Sequence, residues 1–161
     1  MLTHLFTPDQ CARCKLCCNF HRSTAWETPS LEPQTAERLS AAGVPLRRRE
    51  DGSRTFGLHF CSEDPAETAD CPMLDPSAGC TMPREERPFE CRIWPLRLMK
   101  GAHGLSLGLY VGCPALTDDV RAKLTAEATG SLLPALRAYA EQHPASVRPE
   151  DPAYTIIWRE K

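Results

Sequence analysis

The sequence predicts an α+β fold: a small single domain with short antiparallel strands, a few helices and cysteine-rich loops. Three observations predict it. At 161 residues the chain fits one domain, residues 1–161. Its 15 prolines favour turns and short elements over long helices. Segments with a helical pattern and segments with strand-like alternation occur in the same chain.

The first elements follow from local signals. Residues 33–42 are predicted to form a short helix that stops at Gly43, and residues 54–60 show the weak alternation of a strand. Residues 93–99 and 105–111 read as two strands with a glycine-containing loop between them, which predicts an antiparallel hairpin. The second strand places four apolar side chains on one face: Leu105, Leu107, Leu109 and Val111.

The C-terminal part is predicted to be a helical segment, residues 117–142, followed by a strand at residues 154–158. Thr117 is a suitable N-cap residue, and Gly130 predicts a break between two helical pieces. Pro134 suits the first turn of the second piece, because its missing N–H is not needed there. These signals complete the α+β prediction.

Composition and charge exclude several partners. The formal charge of −2 gives no electrostatic reason to expect nucleic acid or an anionic membrane as partner. No run approaches the roughly 18 apolar residues of a membrane span. Residues 1–10 have neither the basic start nor the apolar stretch of an export signal. We therefore expect a cytoplasmic protein.

Nine cysteines are the most unusual feature of the composition. In a reducing compartment, dense cysteines indicate metal ligation rather than disulfide bonds. The odd number points in the same direction, because nine thiols cannot all pair within one chain. The sequence thus predicts thiolate ligands that converge in space on a metal centre.

The N-terminal block C-x2-C-x2-C-C is formed by Cys11, Cys14, Cys17 and Cys18. Three cysteines at this spacing with a remote fourth are the pattern of bacterial [4Fe–4S] ferredoxins, although Asn19 stands where those have proline. Zinc sites more often use separated pairs, so zinc stays an alternative. Adjacent cysteines point in different directions in most backbone conformations, so Cys17 and Cys18 are not both expected on one ion.

Four later cysteines stand beside turn formers or stiff residues, which lowers the entropy lost when a site closes: Cys71, Cys80, Cys91 and Cys113. With the first four they give eight predicted metal ligands in a region of about residues 11–114. Four nearby cations are predicted to offset the negative charge of such a centre: Arg13, Lys15, Arg87 and Arg92. Cys61 lacks this context and reads as structural or spare, and His21 is a weaker candidate ligand.

Taken together, these motifs resemble the YkgJ-type CxxCxxCC family, whose members are described as zinc- or iron-chelating. The first signature of the family is similar to residues 11–18. The family's last cysteine is followed by proline, and Cys113, which precedes Pro114, resembles it. The family's middle signature is two separated cysteines, then Arg-Pro, then Cys-Arg, an aromatic residue and Pro. That signature resembles residues 71–74, 79–80, 87–88 and 91–95. Trp94 replaces the usual phenylalanine, and Cys61 has no counterpart.

The function predicted from these residues is metal binding, by an iron–sulfur cluster or zinc, in a structural, redox or sensory role. The resemblance implies chelation without a settled activity. Flagellin lysine methylases carry a similar motif in longer chains, so a redox or protein-methylating metalloenzyme is one alternative, and metal delivery or storage is another. No glycine-rich nucleotide loop is visible. The residues identify no substrate and no protein partner.

Overall fold

The computed structural model describes residues 2–160 and confirms the α+β class, with helices and short strands in one chain. Four side chains inside that range lie outside the description: those of Thr3, Pro8, Asp9 and Cys11. The chain divides into two compact units. We call residues 7–92 the cysteine-rich unit, and residues 1–6 with 93–161 the sheet unit. The assignment of the whole chain to a single domain stays a prediction.

The cysteine-rich unit is built from very short elements. Its helices are α1 (Pro8–Cys14), α2 (Pro33–Ala41) and α3 (Phe89–Ile93). Its strands pair antiparallel as β1 (Asn19–His21) with β4 (Thr68–Asp70), β2 (Leu46–Arg48) with β3 (Arg54–Phe56), and β5 (Leu74–Asp75) with β6 (Gly79–Cys80). Isolated strand pairs of this length are marginal in water, so the unit depends on packing between segments.

The apolar core of this unit joins most of those elements. It contains seven buried residues: Phe20, Leu31, Ala36, Leu39, Phe56, Cys71 and Met82. The prediction of helix 33–42 is confirmed, since α2 ends at Ala41 and Gly43 follows with a φ of 76°. The strand predicted over residues 54–60 is shorter, because β3 ends at Phe56, and the Gly57 N–H makes a last hydrogen bond to the Pro45 carbonyl beside β2.

The sheet unit contains a four-stranded sheet in the order β10–β8–β7–β9. Its strands are β7 (Leu96–Gly101), β8 (Gly104–Tyr110), β9 (Arg148–Pro149) and β10 (Tyr154–Arg159). β8 pairs antiparallel with both β7 and β10, and β7 pairs parallel with β9. The predicted final strand at residues 154–158 is confirmed by β10.

The hairpin predicted from residues 93–111 is confirmed with two corrections. Ile93 belongs to α3 rather than to the first strand, which begins at Leu96. The strands continue to the pair Gly101 and Gly104, so the loop is shorter than predicted. Gly104 adopts a φ of 114°, a conformation that suits glycine and allows this tight reversal. Val111 is 44% exposed and lies beyond the end of β8.

The predicted helical segment 117–142 is confirmed as α4 (Asp118–Thr129) and α5 (Leu133–Gln142). Thr117 is the N-cap, and its side chain accepts a hydrogen bond from the Val120 N–H at 3.3 Å. Leu124 and Leu136 are fully buried on the inner faces of the two helices. None of the helices within residues 2–160 is both long and apolar enough to cross a membrane.

Candidate metal centre

The N-terminal cysteine block leaves α1 through a sharp turn. Lys15 adopts a left-handed φ of 54°, which costs a non-glycine residue on the order of 1 kcal/mol. A one-turn helix, Leu16–Cys18, follows directly. In this turn the sulfurs of Cys17 and Cys18 lie 3.9 Å apart. The sequence suggested that adjacent cysteines diverge, whereas the turn holds their sulfurs on the same side.

The β1–β4 pair brings a remote cysteine to this turn. Asn19 pairs with Asp70 in the register of the two strands, and the Asn19 amide donates to the Asp70 carboxylate at 2.7 Å. One residue further along, the Cys71 N–H donates to the Cys18 carbonyl oxygen at 2.7 Å. The first block and the first of the later cysteines therefore meet at the end of one antiparallel ladder.

Cys80 joins the group through the β5–β6 pair, in which it lies opposite Leu74. The Leu74 N–H donates to the Cys71 carbonyl at 2.9 Å, so the two cysteine-bearing segments are hydrogen-bonded together. Gly79 has a φ of 83°, and a Cβ there would lie 3.0 Å from the Ala12 Cα. Glycine at this position thus lets α1, which carries Cys11 and Cys14, approach β6.

Cys91 lies in α3, where its N–H donates to the Pro88 carbonyl at 3.0 Å. Burial raises the pKa of the Cys91 thiol well above its ordinary value, and Cys17, Cys71 and Cys80, when ionised, raise that pKa further. A charge affects a pKa in this way only at short range. Cys91 is therefore in the same electrostatic environment as the cysteines of the other three segments.

We call Cys17, Cys18, Cys71, Cys80 and Cys91 the thiol cluster. The pKa of Cys71 is raised to about 12, chiefly by burial. The pKa of Cys17 is raised by its hydrogen bond with Cys18 and by burial. Because the pKa values of Cys17 and Cys71 are raised, a metal ion that binds these two thiols has to displace their protons.

The remaining predicted ligands are distributed differently. Cys14 is half-buried at the end of α1, whereas the side chain of Cys11 lies outside the described residues. Cys113 belongs to the sheet unit, where it is 8% exposed in the turn after β8. Cys61 is exposed, and its N–H donates to the Glu67 carboxylate. Five of the eight predicted ligands thus form the thiol cluster, Cys14 and Cys113 are not members of it, and nothing is described of the Cys11 side chain.

His21 and the four predicted cations also have defined positions. His21 is exposed, and its Nδ1 lies 3.1 Å from the Ala66 carbonyl oxygen, so it faces a backbone group. The charge of Arg87 lowers the pKa of Cys17, against the larger causes that raise it. Lys15 donates a hydrogen bond to the Pro76 carbonyl. The Arg92 guanidinium stands 5.8 Å from the centroid of the Phe89 ring. Arg13 is exposed on α1.

One pair in the thiol cluster, Cys17 and Cys18, has the donor atoms and the spacing of two ligands of a thiolate-bound metal. In a tetrahedral zinc site with Zn–S bonds near 2.3 Å, two sulfurs are about 3.8 Å apart. The 3.9 Å between Cys17 and Cys18 matches that edge. Among the described side chains, no three His, Cys, Asp or Glu residues are grouped so as to hold a metal ion. A metal held by three or more members of this cluster would therefore need rotated cysteine side chains.

One buried residue beside the cluster escaped the sequence reasoning. Glu90 is 5% exposed and directly precedes Cys91, and its carboxylate accepts a hydrogen bond from the Ser30 N–H. Its negative charge contributes to the raised pKa of Cys91, after burial and the thiols of Cys17 and Cys71. The sequence shows an acidic residue next to a predicted ligand. It does not show that this carboxylate is buried, because burial depends on tertiary contacts.

Comparisons with known proteins identify no relative. No protein-family model matches the chain, and neither a curated protein nor a solved structure is significantly similar to it. The resemblance to the CxxCxxCC family therefore depends on the motifs alone.

Proposed function

We propose that the cysteine-rich unit binds a metal centre through cysteine thiolates. The observation that carries this proposal is the meeting of Cys18 and Cys71, with Cys80 and Cys91 close enough to act on the same group of thiols. Ligands from the thiol cluster would hold the centre, Cys11 and Cys14 of the same unit stay candidate ligands, and Cys113 stays a prediction from the sequence alone. When bound, an iron–sulfur cluster supplies electron transfer, and zinc with four thiolates supplies a structural cross-link.

A structural role is supported by the size of the elements that carry the thiols. The cluster joins a one-turn helix, the end of a three-residue strand, a two-residue strand and a five-residue helix. Such pieces lose much conformational entropy when they are ordered, and a metal that binds only the folded state offsets that loss. A redox or sensory role for an iron–sulfur centre is the second version, supported by the spacing of the N-terminal block.

Three alternatives compete with this proposal. In the first, the cysteines bind no metal and serve only as small apolar residues of the core, where Cys71 does pack. A redox or protein-methylating metalloenzyme is suggested by the motif shared with flagellin lysine methylases. A metal delivery or storage protein would use the same thiols with weaker retention. We propose a cytoplasmic setting, where thiols stay reduced, without nucleic acid or membrane as partner.

Metal titration of the metal-free chain, kept under reductant without oxygen, tests the proposal. We expect Zn²⁺ and Co²⁺ each to bind stoichiometrically, with thiolate-to-cobalt charge-transfer absorbance for Co²⁺. Cys18→Ala should weaken binding strongly, because the Cys18 sulfur lies 3.9 Å from the Cys17 sulfur, at the spacing of two ligands of one metal ion. Cys61→Ala is the matched control, since it removes an exposed thiol outside the cluster, and it should bind like the natural chain. Absence of binding by the natural chain would reject the proposal.

Further measurements separate the alternatives. Protein purified without oxygen that is brown and contains iron and sulfide supports the iron–sulfur version, and colourless protein with zinc supports the structural version. Binding of a methyl donor to the metal-loaded chain, measured by calorimetry, would favour the methyl-transfer alternative. Rapid transfer of the metal to a chelator would favour delivery or storage.

A further inference from the structure

A thiolate metal centre needs positive charge beside it. A zinc ion with four thiolates carries two net negative charges, and cysteine-ligated iron–sulfur clusters are also anionic. Negative charge in a partly buried site is costly unless it is compensated. The cysteine-rich unit should therefore hold a cation close to the thiol cluster, in a fixed position.

Arg87 meets both conditions. Its Nε donates to the Met82 carbonyl at 3.1 Å, and the end of its guanidinium donates to the Cys80 carbonyl at 3.5 Å. The side chain is half-buried, so these contacts are partly shielded from water. Its backbone leads directly through Pro88 into α3, which carries Cys91. One side chain is thus anchored on a cysteine-bearing strand and lies next to a cysteine-bearing helix.

The guanidinium of Arg87 is hydrogen-bonded to a member of the thiol cluster, through the carbonyl oxygen of Cys80. The other predicted cations have different contacts: Lys15 donates to the Pro76 carbonyl, and Arg92 lies over the Phe89 ring. Arg87 is therefore well placed to compensate thiolate charge, since it is hydrogen-bonded to the backbone of Cys80.

We infer that Arg87 is the counter-cation of the metal centre, held in place by the carbonyl oxygens of Met82 and Cys80. The inference rests on the proposed metal centre. In this role the two carbonyls fix the guanidinium, and its charge stabilises the thiolates that remain after metal binding has displaced their protons. Arg87 is a positioning and charge-compensating residue, and it is not a metal ligand.

Competition titrations with Zn²⁺ and Co²⁺ on three variants test this role. Arg87→Gln removes the charge, Arg87→Lys keeps a charge, and Arg47→Gln is the matched control, since Arg47 is exposed on β2. Residues that support metal ligands without touching the metal typically change affinity by about 10- to 100-fold. We expect a loss of about that size for Arg87→Gln, substantial recovery for Arg87→Lys, and no change for Arg47→Gln.

Ionic strength provides a readout that a purely structural role would not change. The Arg87→Gln loss should shrink from low salt to about 1 M salt, where the screening length is about 3 Å. The cobalt charge-transfer spectrum should keep its shape, because the ligands are unchanged. Equal, salt-independent losses in Arg87→Gln and Arg87→Lys, or no loss in either, would overturn the inference while the natural chain still binds. If the natural chain binds neither metal, the proposed function fails, and the inference fails with it.

Discussion

Replacement of Cys71 by alanine separates the packing role of this thiol from its proposed role as a ligand. Cys71 is 8% exposed and packs in the apolar core of the cysteine-rich unit. Removing one buried sulfur costs about 1 kcal/mol, from about 0.8 kcal/mol for a buried group of methylene size plus a small cavity term. Without metal, Cys71→Ala should therefore lower the free energy of unfolding by about this amount.

With metal bound, the same substitution should cost more. Structural zinc sites contribute about 10–16 kcal/mol of apparent binding energy, so loss of one ligand in four costs about 3 kcal/mol if the energy is shared equally. The total loss for Cys71→Ala in the presence of zinc is then about 4 kcal/mol, the sum of this term and the packing term. The additional loss is the signature of a ligand.

Urea unfolding followed by circular dichroism, with and without stoichiometric zinc and under reductant, measures both values. Cys61→Ala is the control: Cys61 is exposed, and surface substitutions usually change stability by less than about 0.5 kcal/mol. Equal losses for Cys71→Ala with and without zinc would refute the reasoning, because the thiol would then act only by packing.

Three further predictions concern single features of the structure. Thr117→Ala removes the N-cap of α4 and should lower the free energy of unfolding by about 1 kcal/mol in urea titrations. Gly79→Ala should destabilise the cysteine-rich unit and weaken metal binding, because its φ is 83° and the new Cβ would lie 3.0 Å from the Ala12 Cα. Hydrogen bonds from the Cys61 N–H and the neighbouring serine lower the pKa of Glu67. The contribution of Glu67 to stability is thus present above the ordinary glutamate pKa of about 4.3 and is lost as the pH falls through the lower pKa of the folded protein.

Each of these predictions has its own control. Thr117→Ser keeps a side-chain acceptor and should retain most of the stability, so equal losses for serine and alanine would contradict capping. Gly52→Ala has a comparable φ of 82° but no atom within 4 Å of the new Cβ, so it isolates backbone strain from crowding. If Glu67→Gln has the same effect on stability at neutral and at strongly acidic pH, the account of its pKa is wrong.

Much of the fold could be predicted because its signals are local. Gly43 ends α2, and Thr117 and Gly130 delimit α4, as the sequence indicated. The β1–β4 pair could not be predicted, since strands of three residues are defined by their partner rather than by their own pattern. Ile93 was assigned to a strand because a short apolar run does not distinguish a strand from a buried helix end.

Part of the candidate site could likewise be predicted from the sequence, and part could not. Spacing and turn context identified the five cysteines of the thiol cluster, and three of them, Cys71, Cys80 and Cys91, were expected to converge with the N-terminal block. The short distance between the Cys17 and Cys18 sulfurs could not be predicted, because it depends on the left-handed conformation of Lys15. Nothing in the side chain of a lysine signals such a backbone conformation. The buried Glu90 was missed for a related reason, since tertiary packing determines its burial.

X-ray absorption at the metal edge of the natural chain, purified without oxygen, tests the thiolate metal centre most directly. We expect a coordination shell dominated by sulfur, with metal–sulfur distances of about 2.3 Å for zinc. Iron neighbours in a second shell would identify the iron–sulfur version. A shell made of oxygen and nitrogen, or protein that contains no metal and still unfolds at the same temperature after metal is added, would contradict the account.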